Sequence, residues 1–325
     1  MIRTLVTTLT LLGALFLSGC GGSGISEPST PKLYASTSNG LSTSVDGGTT
    51  WTNKTSADGL AFSSVVCAAL SGPKIYVATF AGLSISTDSG NTWTTKTTAN
   101  GLGSNSTSWV ALSGSSIYVS SGNGLSISTD GGASWTNKTT ADGLGNKFIA
   151  SVAVSGSKVF ASTFGCLAIS SDAGATWTNR TSANGLGSDT VNAVALSGSI
   201  IYAATAGGLS ISSDGGANWT NKTTANGLGG NNVIGVTASG STIYAATTNG
   251  LSISTDGGTT WTNKTTANGL GSNTVFSVAV SGATIYASTE NGLAISSDGG
   301  TTWTNKTTAN GLGGNEVYSV TIEGS

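Results

Sequence analysis

The sequence predicts an all-β fold, a seven-bladed β-propeller of four-stranded antiparallel blades. Three observations carry this. Tryptophan recurs at Trp51, Trp93, Trp135, Trp177, Trp219, Trp261 and Trp303, always 42 residues apart. A second aromatic column, Tyr34, Tyr76, Tyr118, Phe160, Tyr202, Tyr244 and Tyr286, keeps the same interval. The repeated region, Lys32 to Ser325, is 294 residues long, seven whole periods. A period near 40–50 marks a propeller blade or a long solenoid repeat.

One repeat reads as four short strands. In the sixth copy, Val275 to Val280 is strand A, and Ser281-Gly282 turns into strand B, Thr284 to Thr289. Glu290-Asn291-Gly292 turns into strand C, Leu293 to Ser297. Asp298-Gly299-Gly300 leads to strand D, Thr301 to Thr307, and a longer loop, Ala309 to Asn315, reaches the next strand A. No segment has helical periodicity.

The phase of the repeat separates ring from solenoid. The repeated region begins at a strand B and ends just after a strand A. A solenoid wants distinct capping repeats at its ends. A ring uses the offset: the last strand A, Val317 to Ile322, completes the blade whose strands B–D begin at Lys32. Strand D is then the outer edge of each blade, where unpaired backbone invites association. Lys54, Lys96, Lys138, Arg180, Lys222, Lys264 and Lys306 stand there as edge protection, spread around the rim.

Residues 1–19 read as a targeting segment outside the fold. Arg3 supplies its positive charge, and Leu5 to Leu17 is an apolar stretch too short to span a membrane as a helix. Leu17-Ser18-Gly19-Cys20 resembles the lipobox of bacterial lipoproteins. That resemblance implies lipidation at Cys20, attachment to the cell envelope through the lipid alone, and a flexible tether over residues 20–31. Residues 32–325 form the propeller. Cys67 and Cys166 fall at different places in different repeats and read as isolated small residues.

Composition removes whole classes of function. The formal net charge is −2 and only 8% of residues are charged, so no basic patch suits nucleic acid. Histidine is absent, and with it the commonest general base, the commonest zinc ligand and any Ser-His-Asp set. The expectation is a chain without metal or cofactor.

The C–D turns read SVDGGTTW, STDSGNTW, STDGGASW, SSDAGATW, SSDGGANW, STDGGTTW and SSDGGTTW. They resemble the Asp-box, Ser-x-Asp-x-Gly-x-Thr-Trp, in seven in-phase copies; Asn218 takes the Thr position in one of them. The resemblance places the chain beside sialidase-type (BNR) repeat propellers, some endoglucanases, sortilin-type receptors and photosystem II assembly-factor propellers. It implies structural roles for Asp46, Asp88, Asp130, Asp172, Asp214, Asp256 and Asp298 and for the tryptophan column. Physically, such an aspartate accepts N–H bonds across its own turn, and the tryptophan buries an apolar face between blades. The stretch from Ala267 through Leu293 also resembles the two-component-regulator type of propeller repeat.

The resemblance also shows what is missing. Sialidases clamp substrate with three arginines, and beyond the leader only Arg180 is present. Glycosidases need two facing carboxylates. Outside the Asp-boxes the sole pair near a common loop region is Glu290 and Glu316; Asp58 and Asp142 replace loop asparagines of other copies. The expectation is therefore a non-enzyme.

Against this near-identity, two columns vary. One is the B–C turn: Ser38, Phe80, Gly122, Phe164, Ala206, Thr248 and Glu290. The other opens strand A: Val66, Ser108, Ala150, Asn192, Ile234, Phe276 and Tyr318, with Trp109 and Phe148 beside it. In a propeller both lie around the channel mouth, so Phe80, Trp109, Phe148, Phe164, Phe276 and Tyr318 form the candidate binding face. The leading expectation is a monomeric binding or scaffold module at the cell envelope, with an envelope or secreted protein as partner. A lectin with one glycan site per blade in the D–A loops is the alternative, and a degenerate glycoside hydrolase the third reading.

Overall fold

The computed structural model describes residues 30–323. The leader, Cys20 and most of the tether lie outside the described residues. The chain forms seven four-stranded antiparallel sheets. Blade 1 joins strands B (Leu33–Thr37), C (Gly40–Ser44) and D (Thr52–Lys54) to the C-terminal strand A, Val317–Ile322. Strand A of blades 2 to 7 is Val65–Ser71, Thr107–Ser113, Ile149–Ser155, Val191–Ser197, Val233–Ser239 and Val275–Ser281. Each strand A neighbours the next, and that of blade 1 neighbours that of blade 2, so the ring is closed.

Closure is non-covalent, and its seam is reinforced. Leu33 pairs with Ile322, and the backbone N–H of Glu323 donates to the carbonyl of Lys32 at 2.9 Å. The Glu323 carboxylate also pairs with Lys32 Nζ (3.1 Å) and accepts from the Tyr34 hydroxyl (3.0 Å).

The core lies between blades. Seven apolar clusters each combine residues of two adjacent blades. At the seam, Leu33 and Ala35 of blade 1 pack with Tyr286 and Leu293 of blade 7. The tryptophans are half-buried at the same junctions: the ring carbons of Trp93 lie over Gly59, and Trp51 lies over Gly311. Gly59 sits at φ +103°, so glycine allows the left-handed turn that brings the backbone against Trp93.

Each Asp-box is a closed hydrogen-bonded turn. Asp46 accepts from the Ser44 hydroxyl (2.7 Å), the Thr49 and Thr50 N–H groups (3.0 and 2.9 Å) and the Thr50 hydroxyl (2.6 Å). Ser44 in turn accepts from Gly48 N–H at 2.8 Å. In the copies lacking threonine, Ser134 Oγ and Asn218 Nδ2 supply the same donation to Asp130 and Asp214, at 2.6 and 2.8 Å.

These turns shorten strand D relative to expectation. Strand D of blade 7 is Thr304–Lys306 rather than residues 301–307, because Thr301 and Thr302 donate to Asp298 instead of to strand C. Strand C runs Gly292–Ser296, one residue earlier than expected. Each D–A loop contains a 3₁₀ turn, Thr308–Asn310 in blade 7, too short to leave a periodic pattern. Asp58 and Asp142 cap such turns, accepting from Thr55 and Thr139 N–H at 2.9 Å each, where Asn100 does the same at 3.1 Å.

The Asp-box donors hold these carboxyls below their ordinary range. At Asp88, the Thr92 hydroxyl and N–H bring the value to about 2; Asp172 is also near 2, and the other five lie lower. A depressed folded-state pKa gives stability that is complete above the unfolded value, about 4, and is lost as pH falls through the folded value. Thermal melting should therefore give a Tm nearly constant from pH 7 to about 5 that falls steeply from about pH 4 towards 2. A Tm unchanged at pH 2.5 contradicts this role of the aspartates.

Candidate functional site

The variable columns converge. The B–C turns lie against the residues that enter strand A: the N–H of Ser38 donates to Glu316 O (3.0 Å), Gly122 to Ser106 O (3.0 Å), Phe164 to Phe148 O (3.3 Å) and Glu290 to Thr274 O (3.2 Å). Both columns thus surround one end of the channel.

The second residue of strand A has a feature the sequence did not reveal. In every blade the A–B pairing skips it: Val65 pairs with Thr79 and Cys67 with Ala78, leaving Val66 unpaired. The same shift occurs at Ser108, Ala150, Asn192, Ile234, Phe276 and Tyr318. These are β-bulges, which re-aim a side chain while bending the strand. All seven bulged residues line the same central cavity of about 380 Å³. No two of the seven are alike, whereas the Asp-box aspartate and tryptophan are identical in all seven copies. Packing and turn geometry hold the framework columns to one residue type; the bulge column shares no such common contact.

The six predicted aromatics do not form a single surface. Trp109, Phe276 and Tyr318 are half-buried in the channel. The Phe276 and Tyr318 rings are 5.9 Å apart and tilted by 49°. Trp109 Nε1 donates to Val152 O of the next blade at 3.1 Å. Phe80, Phe148 and Phe164 instead stand on the rim, about half exposed. Phe62 joins them, 47% exposed, and was missed because it lies earlier in the D–A loop. Its column otherwise holds Ser104, Asn146, Ser188, Gly230, Ser272 and Gly314, so the same comparison among copies marks it.

Polar groups at the mouth also divide. Asn192 Nδ2 donates to Val233 O (2.8 Å) and Asn232 Oδ1 (3.1 Å), which ties blade 5 to blade 6. Glu316 Oε2 accepts from the Tyr318 hydroxyl at 3.0 Å. Burial, and then this carboxylate, raise the Tyr318 pKa.

In the D–A loops, candidate glycan sites, some polar groups are used internally, by strand D asparagines and by the loop's own turns. Asn137 Nδ2 donates to Gly101 O (3.0 Å), Asn179 to Gly143 O (3.0 Å) and Asn263 to Gly227 O (3.0 Å). Asn105 Oδ1 accepts from Thr98 N–H at 2.8 Å. Outer grooves of about 300 and 220 Å³ lie between strand D and the next Asp-box, one lined by Lys96 and Asp130, the other by Lys138 and Asp172. The strand D cations are half-buried along this rim and do not gather at the channel.

Cys67 and Cys166 are separate free thiols. Cys67 faces the channel, where burial pushes its pKa up to about 12, so it stays a neutral thiol. Cys166 replaces the glycine that opens strand C elsewhere. At Gly124, for example, φ is +108° and a Cβ would collide with the Lys138 carbonyl. Blade 4 avoids this collision by starting strand C one residue later, at Leu167. Among the described residues, no group of three His, Cys, Asp or Glu side chains is arranged to hold a metal ion, and no helix is long and apolar enough to cross a membrane.

Comparison with known proteins agrees with this architecture. Residues 159–270 match the model of the DUF6242 beta propeller domain. No curated protein matches the sequence. Among solved structures, the BT4673 extracellular domain of B. thetaiotaomicron is 15% identical, with a TM-score of 0.67 over 84% of this chain. This chain spans only 39% of that protein's length. YCF48 bound to D1 peptide is 17% identical, with a TM-score of 0.55 over 74% of this chain and 80% of its own. The GH74 enzyme of Niastella koreensis is 18% identical, with a TM-score of 0.50 over 88% of this chain and 54% of its own. At these identities the likeness is one of fold.

Proposed function

We propose that this chain is a non-enzymatic binding module of the bacterial cell envelope, that its partner is a polypeptide, and that it binds at the channel mouth. One observation carries the reading. Seven different side chains occupy the seven bulges of an otherwise repetitive ring, and all seven line one cavity. A site built for geometry alone would repeat, as the Asp-boxes do. Exposed Phe62, Phe80, Phe148 and Phe164 around that mouth give apolar area suited to a protein surface. YCF48, a propeller of similar fold, was solved with a peptide bound, which supports a polypeptide over a glycan. So does the internal use of D–A loop carbonyls by strand D asparagines.

The same reading holds the Asp-boxes to be structural and the protein to act without cofactor or metal. The lipobox-like residues Leu17 to Cys20 support a lipid anchor as the means of retention. The test is alanine substitution at Trp109, Phe164 and Tyr318. Each should weaken binding to a cross-linked envelope partner at least tenfold, about 1.4 kcal/mol. Phe164→Ala and Tyr318→Ala should shift Tm little, whereas Trp109→Ala, which also removes the bond to Val152 O and packing against the core, should lower it and is compared below its melting range. Unchanged affinity in all three rejects the site.

A further inference from the structure

We propose that the channel mouth between blades 7 and 1 receives a cationic side chain, a lysine or arginine of the bound polypeptide. The inference rests on the binding reading above and adds the chemistry of the ligand.

Glu290 and Glu316 come from different blades and are brought together by the fold. The Gly292 N–H donates to the Asn315 carbonyl at 2.6 Å, across the blade junction and beside both residues. The Glu290 N–H is fixed to Thr274 O (3.2 Å), and the Ser38 N–H to Glu316 O (3.0 Å). The Phe276 and Tyr318 rings of the same two blades are 5.9 Å apart and line the cavity. The Tyr318 hydroxyl donates to Glu316 Oε2, linking the acidic rim to the aromatic wall.

The other acidic groups at this end of the ring are spent on their own loops. Asp58 and Asp142 cap 3₁₀ turns, and Asp189 accepts from Ser182 N–H at 2.6 Å. Glu290 and Glu316 form no ion pair among the described residues, where the single pair is Lys32–Glu323. Glu316 is hydrogen-bonded to the aromatic wall of the cavity, and Glu290 stands exposed on the neighbouring B–C turn, neither with an ion-pair partner among the described residues; the ring faces carry the negative end of their quadrupole. That combination favours an organic cation and repels an anion. The cavity of about 380 Å³ admits one long side chain but not a folded domain.

The opposite rim argues that the cation belongs to a polypeptide. Blade 4 lies three blades from both blade 7 and blade 1, and it presents exposed Phe148 and Phe164, with Lys147 Nζ 5.0 Å from the Phe148 ring centre. A ligand spanning the mouth therefore meets negative charge on one side and apolar rings with a positive charge on the other. A chain segment with a basic residue at one point and apolar residues further along is complementary to both.

The experiment is selection of a random heptapeptide display library against the purified protein and against the double variant Glu290→Gln/Glu316→Gln. Wild type should enrich peptides with Lys or Arg next to apolar residues, and the double variant should lose that preference. The best peptide, made synthetically, should bind the double variant about tenfold more weakly. Norleucine in place of its lysine, or citrulline in place of its arginine, should cost wild type a similar factor and cost the double variant little more. If the double variant fails to fold, the norleucine or citrulline comparison on wild type decides alone. Enrichment of peptides without a basic residue, or equal affinity for the neutral analogue, overturns the cation assignment and leaves the binding reading standing. No enrichment of any peptide overturns both.

Discussion

Removal of residues 317–323 should abolish cooperative folding. The deletion takes away strand A of blade 1, with the buried residues Val317, Val320 and Ile322, and leaves the edge of Leu33–Thr37 unpaired. Each such side chain contributes roughly 1.5–3 kcal/mol of burial, against a typical total stability of about 5–15 kcal/mol. The Lys32–Glu323 pair and the Tyr34–Glu323 hydrogen bond go with them. The core cluster between blades 7 and 1 is opened as well, so the ring loses its closure. The truncated chain should bind a hydrophobic dye and show no sharp thermal transition. A synthetic peptide covering residues 314–325, added in excess, should restore one, because the strand docks without a covalent link. A truncated chain that melts like the full one contradicts closure by this strand.

Leu→Ala changes at blade junctions should be nearly equal in cost around the ring. Leu83, Leu209 and Leu293 are all fully buried and occupy equivalent positions in three junction clusters. Loss of a buried leucine leaves a cavity and costs about 2–5 kcal/mol. Leu293 lies at the seam, where the chain is discontinuous, yet its surroundings repeat those of Leu83 and Leu209. Denaturant unfolding should place the three variants within about 1 kcal/mol of one another, judged against the spread of equivalent sites. A much larger loss at Leu293 identifies the seam as a weak point that its packing does not show.

The fold was legible because each blade obeys rules that act locally. The 42-residue spacing of the tryptophans, the Ser–Asp–Gly turn chemistry and the offset of the two ends are properties of sequence alone. The strand D boundaries were not, since Asp298 diverts Thr301 and Thr302 from the ladder through side-chain bonds. The bulges were hidden for a different reason. An extra residue such as Val66 keeps the repeat at 42, so it leaves no mark in the spacing. Only pairing reveals that Phe276 and Tyr318 turn into the channel while Phe80 and Phe164 stay on the rim. Variation among copies nevertheless marked a single end of the ring, because the turn and strand entries that vary there are hydrogen-bonded neighbours. The acidic pair was visible as two residues, but its proximity depends on the blade 7–blade 1 junction that the chain makes last.

The central claim is that the repeated columns build the ring and the exceptions bind. It is tested most directly by comparing Asp256→Ala with Tyr318→Ala for both melting temperature and affinity for a selected peptide. Asp256 accepts the Ser254 and Thr260 hydroxyls and the Thr259 and Thr260 N–H groups within its own turn, away from the channel. Its replacement should lower Tm by several degrees and leave affinity unchanged. Tyr318→Ala should do the reverse, with affinity falling at least tenfold, about 1.4 kcal/mol, and Tm little changed. Affinity lost in Asp256→Ala at temperatures where that variant is fully folded, or retained in Tyr318→Ala, contradicts the division.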